Sequence, residues 1–297
     1  MDREKILSCL IATVLVATVS ACSRDHQPIV VGSKNFTEQV LLGEIVAQHL
    51  EHRLNDKVVR KPNLGGTLLA HQALVNGEID LYPEYSGTAL TAVLKLAPFS
   101  DPSAVLRKVK AEYKTRFGLQ WLEPLGFNNT FVMVIRQEDA QNSQITTLSE
   151  AARRAKGWKL GVGYEFQQRP DGLNGLRKNY RLPLKGSPRT MDLGLLYNAL
   201  EHKEVDMIAA NATDGLLSAK DVRVLRDDKR SFPPYQAALV VRATVLENHP
   251  RLRPALEELS GKFPDETMRK LNYQVDGLHR PARDVAVEFL RQNKLLP

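Results

Sequence analysis

The stretch that decides the fold, residues 29–82, reads IVVGSKNFTEQVLLGEIVAQHLEHRLNDKVVRKPNLGGTLLAHQALVNGEIDLY. Three short segments with a strand signal (29–32, 58–61 and 79–82) alternate with two stretches of helical periodicity (37–54 and 67–76). Thr37 is placed to cap the first helix, and Gly77 is placed to end the second. This strand–helix order predicts a parallel sheet with helices on both faces, in which ligands bind at the carboxyl ends of the strands.

The same alternation restarts after residue 130. The pattern predicts strands at 131–135, 159–163 and 205–209, with a capping box at residues 147–150 and a helix at 193–202. A strand at 237–242 is placed to return to the first unit, and helices at 250–259, 265–275 and 281–294 end the chain. We therefore expect an α/β fold of two lobes: lobe 1 at 29–129, lobe 2 at 130–236 and a return segment at 237–297. A cleft between two such lobes suits a small solute.

The N-terminus has the features of an export signal. Arg3 and Lys5 precede an apolar run at 6–19, which is too short for a membrane-spanning helix. The run ends in VSAC at 19–22, which resembles the lipobox of bacterial lipoproteins. That resemblance implies a signal peptide at 1–21, a lipid anchor on Cys22 and a tether at 22–28. The alternative is an ordinary secretory signal with an incidental cysteine.

Composition narrows the class of protein. The chain has 297 residues, 43% hydrophobic and 25% charged, which is typical of a globular protein of this size. The formal net charge of +7 raises nucleic acid as a partner, but the bases are interleaved with 34 acidic residues. The sequence shows no zinc-ligand spacing, RNP-like aromatic motif or basic arm, which argues against nucleic acid.

Several motifs resemble substrate-binding proteins of ABC importers for glycine betaine, choline and related osmoprotectants. They read VGSKNFTEQ (31–39), NLGGT (63–67), HQALVNGEID (71–80), YPEYSGT (82–88), YNAL (197–200), TDG (213–215) and FPPY (232–235). The resemblance covers about residues 29–294. It implies a type II periplasmic-binding fold with mostly parallel sheets and two hinge crossings, near 128–131 and 234–238. It further implies a monomer at the periplasmic or outer face of the cell envelope, an ABC permease as partner, and neither cofactor nor metal.

The resemblance also implies a cage for a quaternary ammonium group. Aromatic faces hold such a cation, each contributing about 0.5–2 kcal/mol, and members of the family use four tyrosines. Motif matching assigns three walls of the cage to Tyr85, Tyr235 and Phe131. The fourth position is Asn211, which has no π face. The alternative for Tyr85 and Phe131 is simple packing in the core.

A second set of residues is implied for the carboxylate of the ligand. Motif matching assigns it to Lys34, Thr88 and Arg169, because arginine suits a bidentate grip on a carboxylate. The alternative for Arg169 is a surface ion pair with its neighbour Asp171. The remaining candidates are Glu165, expected near the cation or orienting the arginine, together with Asn129, Gln39 and Asp214.

Because Asn211 stands where the family has an aromatic residue, the sequence does not determine which ligand is bound. A low-affinity glycine betaine site is one interpretation, and a larger zwitterion whose extra polar group meets Asn211 is another. Sulfur-containing histidine betaines and carnitine-like or amino-acid-like molecules fit the second. A ligand sensor without transport has the same fold and stays an alternative.

An enzyme is not expected. His49 and His52 lie three residues apart on a predicted helix, but a metal site needs a third ligand, and we expect both to be exposed near the helix end. No nucleophile elbow is present, since the residue two before Ser86 in YPEYSGT is not glycine.

Overall fold

The computed structural model describes residues 27–154 and 156–297. The strands in this part of the chain are β1 (Ile29–Gly32), β2 (Val58–Lys61), β3 (Leu81–Tyr85), β4 (Leu119–Asn128), β5 (Phe131–Arg136), β6 (Leu160–Val162), β7 (Arg189–Thr190), β8 (Met207–Asn211), β9 (Val222–Leu225) and β10 (Gln236–Arg242). They form two five-stranded sheets, with the orders β2-β1-β3-β10-β4 and β7-β6-β8-β5-β9. We call the part built on the first sheet lobe 1 and the part built on the second lobe 2.

Helices cover both sheets. They are α1 (Thr37–Leu54), α2 (Thr67–Val75), α3 (Ser86–Thr88), α4 (Pro102–Phe117), α5 (Gln137–Ser143), α6 (Leu148–Ala151), α7 (Tyr164–Gln168), α8 (Gly175–Tyr180), α9 (Leu193–Glu201), α10 (Ala243–Asn248), α11 (Leu252–Glu257), α12 (Asp265–Asp276) and α13 (Ala282–Gln292). Short π-helical turns span Ala89–Val93 and Pro170–Asn174, and a 3-10 turn spans Gly215–Ser218.

The two-lobed α/β fold is confirmed, but each sheet is mixed rather than mostly parallel. β1 pairs in parallel with β2 and β3, whereas β10 is antiparallel to both β3 and β4. The second sheet repeats this division, with β6 parallel to β7 and β8 and with β5 antiparallel to β8 and β9. The reason is that β5 and β10, the strands that follow the two crossings, enter their sheets in the opposite direction.

The chain crosses between the sheets twice. It leaves the first sheet after Asn128 and enters the second at Phe131, and it returns between Leu225 and Gln236. β10 therefore begins one residue before the predicted return at 237. The finer division into 29–129, 130–236 and 237–297 stays a prediction.

Local sequence explains where the elements begin and end. The capping box forms as predicted: the Thr147 side chain accepts from Glu150 N, and Glu150 accepts from Thr147 N, although α6 ends at Ala151. The prediction that Thr37 caps α1 is wrong, since Phe36 is the N-cap residue and the Thr37 hydroxyl donates to Asp276 at 2.6 Å.

β4 was not predicted. Its apolar alternation is interrupted by Pro124 and Gly126, residues that weaken a strand signal. The register with β10 shifts around Ala238, which pairs with Pro124, so the strand accommodates the proline at an irregularity.

The buried histidine of α1 corrects a second expectation. His49 is fully buried and its Nε2 lies 2.8 Å from the carbonyl oxygen of Ala255, so it joins α1 to α11, whereas His52 is exposed as predicted. Burial lowers the pKa of His49, which favours the neutral ring. Across residues 27–154 and 156–297, the structure contains no helix with the length and hydropathy of a membrane span.

Candidate functional site

A cleft of about 880 Å³ lies between the two lobes. All the predicted site residues except Gln39 line it: Lys34, Tyr85, Thr88, Asn129, Phe131, Glu165, Arg169, Asn211, Asp214 and Tyr235. Gln39 lies behind the wall, where its Nε2 donates to the hydroxyl of Tyr85 at 3.0 Å. The structure thus brings together residues that are spread along the sequence from position 34 to position 235. Whether each contacts a ligand stays a prediction.

Three aromatic rings in the cleft already lie next to cationic groups of the protein. The Arg169 guanidinium lies 4.8 Å from the centroid of Phe131 and 5.3 Å from that of Tyr235, and Lys34 Nζ lies 4.8 Å from that of Tyr85. Phe131 and Tyr235 meet edge to face at 5.6 Å. These rings are therefore arranged so that their faces can hold positive charge.

Two backbone features set these rings in place. Gly87 lets Tyr235 approach, because a Cβ there would lie 2.6 Å from the carbonyl oxygen of Pro234 and 2.8 Å from the ring. In lobe 2, Phe131 is paired with Asn211 in the β5–β8 register. Because directly paired residues project from the same face of a sheet, Asn211 stands beside the Phe131 wall.

Arg169 is held by an aspartate. Its Nε and Nη2 donate to Asp171 at 3.0 and 2.6 Å, and its Nη1 donates to Thr88 at 2.9 Å. Both members of the pair are buried, so the alternative of a surface ion pair is wrong. Burial alone would raise the pKa of Asp171, but the guanidinium holds it below its usual value. Asp171 also accepts from Tyr235 at 2.6 Å and from Thr91 at 2.9 Å, so it fixes the arginine and one aromatic wall together.

Lys34 and Glu165 meet at the start of α2. Lys34 Nζ forms a buried pair with Glu84 at 2.6 Å and donates to Thr67 at 3.2 Å. Glu165 accepts from the backbone N–H of Thr67 at 2.6 Å and from its hydroxyl at 2.9 Å, while Arg169 Nη1 lies 3.6 Å away. The predicted approach of Glu165 to the arginine is therefore present, but its hydrogen bonds cap a helix of the opposite lobe.

A second part of the cleft, which we call the acidic end, is centred on the carboxyl groups of Glu38 and Asp214. Glu38 accepts four hydrogen bonds: from Tyr85 at 2.7 Å, Asn129 at 2.8 Å, Asn272 at 2.9 Å, and the hydroxyl of Thr213. No cation of the described residues forms a salt bridge with it, and burial raises its pKa. It links lobe 1, the first crossing and lobe 2 through a single carboxylate.

Asp214 is the second carboxylate at this end. It accepts from the backbone of Asn211 at 3.0 Å and from the hydroxyl of Tyr197 at 3.2 Å. Burial, with a smaller contribution from Glu38, raises the pKa of Asp214 to about 7. Glu38 and Asp214 thus form no salt bridge with a cation of the described residues, whereas Lys34 and Arg169 are paired with Glu84, Asp171 and Glu165.

Sequence reasoning missed several residues of the site, namely Glu38, Glu84, Asp171, Tyr197 and Asn272. Glu38 and Glu84 lie inside quoted motifs, so their place next to predicted residues was an available signal. Asp171 was considered only as a partner at the surface. Asn272 lies in a terminal helix with no local motif, and only the packing of α12 brings it to the cleft. Within the described part of the chain, no group of three His, Cys, Asp or Glu side chains is arranged to hold a metal ion.

Comparison with known families agrees with this geometry. Residues 27–292 match the family described as the substrate binding domain of ABC-type glycine betaine transport systems. The chain belongs to this family. Its members are the solute-binding components of ABC importers, which bind small solutes outside the cytoplasm and deliver them to membrane permeases.

Individual relatives of the family differ in the ligand they are named for. The chain is 38% identical over 270 residues to the ergothioneine transport permease/ergothioneine binding protein EgtU of Helicobacter pylori, and it covers 48%, about half, of that protein. It is 34% identical to the carnitine transport binding protein OpuCC of Listeria monocytogenes, covering 98% of this chain and 97% of that one. It is 36% identical to a glycine-betaine-binding protein of Pseudomonas aeruginosa, covering 90% and 88%.

Solved structures of the family share the fold. A glycine betaine/carnitine/choline ABC transporter structure superimposes with a TM-score of 0.76 at 32% identity, covering 90% of this chain and 99% of that one. Lactococcal OpuAC, closed on glycine betaine, superimposes with a TM-score of 0.62 at 12% identity, covering 90% and 96%. The second likeness shows the fold alone.

Proposed function

We propose that this chain binds a zwitterion with a quaternary ammonium group in the interlobe cleft and delivers it to an ABC permease. The observation that carries the proposal is that three aromatic rings, those of Tyr85, Phe131 and Tyr235, line one cleft together with the carboxyl groups of Glu38 and Asp214. A quaternary ammonium group cannot donate a hydrogen bond, so aromatic faces and nearby carboxylates are the groups that suit it.

The polar groups of the cleft suit a zwitterion rather than a simple cation. Thr88, Lys34 and Arg169 carry donors that suit a carboxylate, and Glu38 and Asp214 are carboxyl groups without a cationic partner among the described residues. The named relatives bind ergothioneine, carnitine and glycine betaine. Each of these contains both a trimethylammonium group and a carboxylate, so the common chemistry of the relatives fits the polarity of this cleft.

Calorimetric titration tests the proposal. The soluble form that begins at Ser23 should bind at least one of glycine betaine, choline, carnitine and histidine betaine, whereas arginine, which is not quaternary, should not bind. Phe131→Leu removes one π face and should weaken binding by about 2- to 30-fold, the equivalent of ~0.5–2 kcal/mol.

Phe232→Leu is the matched control. Phe232 belongs to the same aromatic cluster, with its centroid 5.9 Å from that of Phe131, but it does not line the main cleft. Its loss should lower stability without changing affinity. Equal losses of affinity in the two variants, or no binding of any quaternary compound, would show that the cleft does not recognise this group through its rings.

The lipid anchor belongs to the same proposal, although Cys22 and the signal peptide lie outside the described residues. An anchored monomer at the outer face of a membrane would hold the cleft near its permease. Metabolic labelling with a radioactive fatty acid should mark the wild-type chain and not Cys22→Ala. We further propose that the protein has no catalytic activity, so a bound ligand should be recovered unchanged.

A further inference from the structure

The acidic end of the cleft holds an acceptor that has no donor. Asn272 is 3% exposed and lines the cleft, and its Oδ1 is buried without a hydrogen-bond partner. The orientation of this amide is fixed, because its Nδ2 donates to Glu38 Oε2 and to the carbonyl oxygen of Thr213, both at 2.9 Å. A rotated amide would place its oxygen against two other acceptors. An unpaired buried acceptor is costly, so a donor that reaches it, from a ligand or a water, is stabilised there.

Asp214 lies at the same end. The turn that follows it packs directly on α12, since a Cβ at Gly215 would lie 2.3 Å from the backbone nitrogen of Tyr273 and 2.8 Å from the carbonyl carbon of Asn272. Both hydrogen bonds of known length to Asp214, from Asn211 N and Tyr197 Oη, go to Oδ2. No cation of residues 27–154 or 156–297 pairs with this carboxyl.

Asn211 was predicted as the position where the aromatic cage lacks a ring. The structure gives this residue a second role, next to Asp214. Its backbone N–H donates to Asp214 at 3.0 Å, and its side chain acts to lower the pKa of that carboxyl against the larger effect of burial. The position therefore orients an acceptor beside the Phe131 wall, instead of adding a fourth π face.

We infer that Asp214 and Asn272 form a second recognition subsite, which accepts hydrogen bonds from an N–H or O–H group of the ligand. The inference rests on the proposed function and narrows it. Glycine betaine has no such group. The preferred ligand is then a quaternary-ammonium zwitterion that also carries a donor, such as a hydroxyl group or the N–H of an azole ring.

Matched ligand pairs test this subsite in the wild-type protein. Carnitine and 4-trimethylammoniobutyrate differ by one hydroxyl group, and histidine betaine and phenylalanine betaine differ by the ring N–H. At least one pair should show a preference of about 10- to 100-fold for the donor-bearing member, because its partner leaves buried acceptors unpaired. Failure of every compound to bind would overturn the proposed function. Binding of both pairs without preference would overturn only the subsite and would indicate that Asn272 is satisfied by a structural water.

The variant Asp214→Asn tests whether Asp214 is the residue responsible for the preference for donor-bearing ligands. In Asp214→Asn the amide oxygen can still accept from Asn211 and Tyr197. The amide NH2 group, which is a donor, then replaces the second carboxylate oxygen, which is an acceptor. The preference within the responding pair should fall to less than about threefold, while a charge effect common to both ligands cancels in the ratio. Asp221→Asn, which removes an exposed carboxylate of lobe 2 that does not line the cleft, is the control and should keep the wild-type ratio. A preference that survives in Asp214→Asn, with unfolding curves showing the variant folded, would refute the role of Asp214.

Discussion

The carboxyl group of Asp214 combines burial with the absence of a cationic partner among the described residues. The titratable groups that face it are Glu38 and the hydroxyl of Tyr197, and neither supplies positive charge. Its pKa of about 7, raised from 3.8, means that the folded chain holds this proton more tightly than the unfolded chain does. Stability contributed by the group is therefore present at low pH and is lost as the pH rises towards 7.

The fold favours the protonated form of Asp214, and ligand binding should favour the charged form instead. A quaternary ammonium group near Asp214 favours the charged carboxylate, so affinity should rise as the pH increases through about 7 and then level off. Protons should be released on binding near neutrality. Calorimetry in buffers of different ionisation enthalpy measures this release, and Asp214→Asn should abolish most of it. A constant affinity from about pH 5.5 to 8.5 would contradict a cation next to this group.

At the scale of single residues, the sequence predicted the charged and aromatic residues of the site better than it predicted their hydrogen-bond partners. Lys34 and Arg169 were found through motif resemblance, but their partners Glu84 and Asp171 were not assigned. A motif gives the identity of a side chain, whereas its hydrogen bonds depend on how loops of two lobes meet. Asn272 could not be predicted from local sequence at all, because its hydrogen bonds depend on the packing of α12, which is remote in sequence.

At the scale of elements, the N-terminus of α2 is completed by lobe 2. Thr67 donates its backbone N–H and its hydroxyl to Glu165, which belongs to α7. Gly66 allows this approach, since a Cβ there would lie 2.7 Å from Glu165 Oε1. A carboxylate at a helix N-terminus is stabilising, so this cap favours contact between the lobes.

Glu165→Gln should therefore weaken ligand binding by about 2- to 30-fold, the equivalent of ~0.5–2 kcal/mol for a lost cap. The matched control is Glu150→Gln, which alters the capping box of α6 within lobe 2. It should lower the melting temperature and leave affinity unchanged. Calorimetry and thermal unfolding of both variants measure the two effects. If Glu165→Gln lowered only the melting temperature, the cap would be a local contact without influence on closure.

The element pattern itself was largely predictable, and the exceptions have local causes. The helices at 37–54 and 265–276 have clear periodicity and bounds close to those predicted. β4 was missed because of its proline, and β7 has only two residues, Arg189–Thr190, which give no periodic signal. Sheet direction was wrong because it depends on the crossings and not on local pattern.

At the scale of the whole molecule, Glu38 joins the parts that closure must bring together. Its carboxylate accepts hydrogen bonds from both lobes and from the first crossing. The donors are Tyr85 and Asn272 in lobe 1 and its terminal helices, Asn129 at the first crossing, and Thr213 in lobe 2. A carboxylate can accept from all four donors, whereas a glutamine presents two donors of its own. Changing this one residue should therefore alter the equilibrium between the lobes.

Glu38→Gln should separate closure from folding. Removing a buried charge offsets part of the lost hydrogen bonding, so stability should change by only about 1–2 kcal/mol. Affinity should nevertheless fall about 10- to 100-fold, since donors would face donors across the cleft. Small-angle X-ray scattering should show that saturating ligand decreases the radius of gyration of the wild type and has less effect on the variant. Glu44→Gln, on the same helix but paired with Arg60, is the control and should scatter and bind like the wild type. Wild-type compaction in Glu38→Gln would show that the lobes close without this carboxylate.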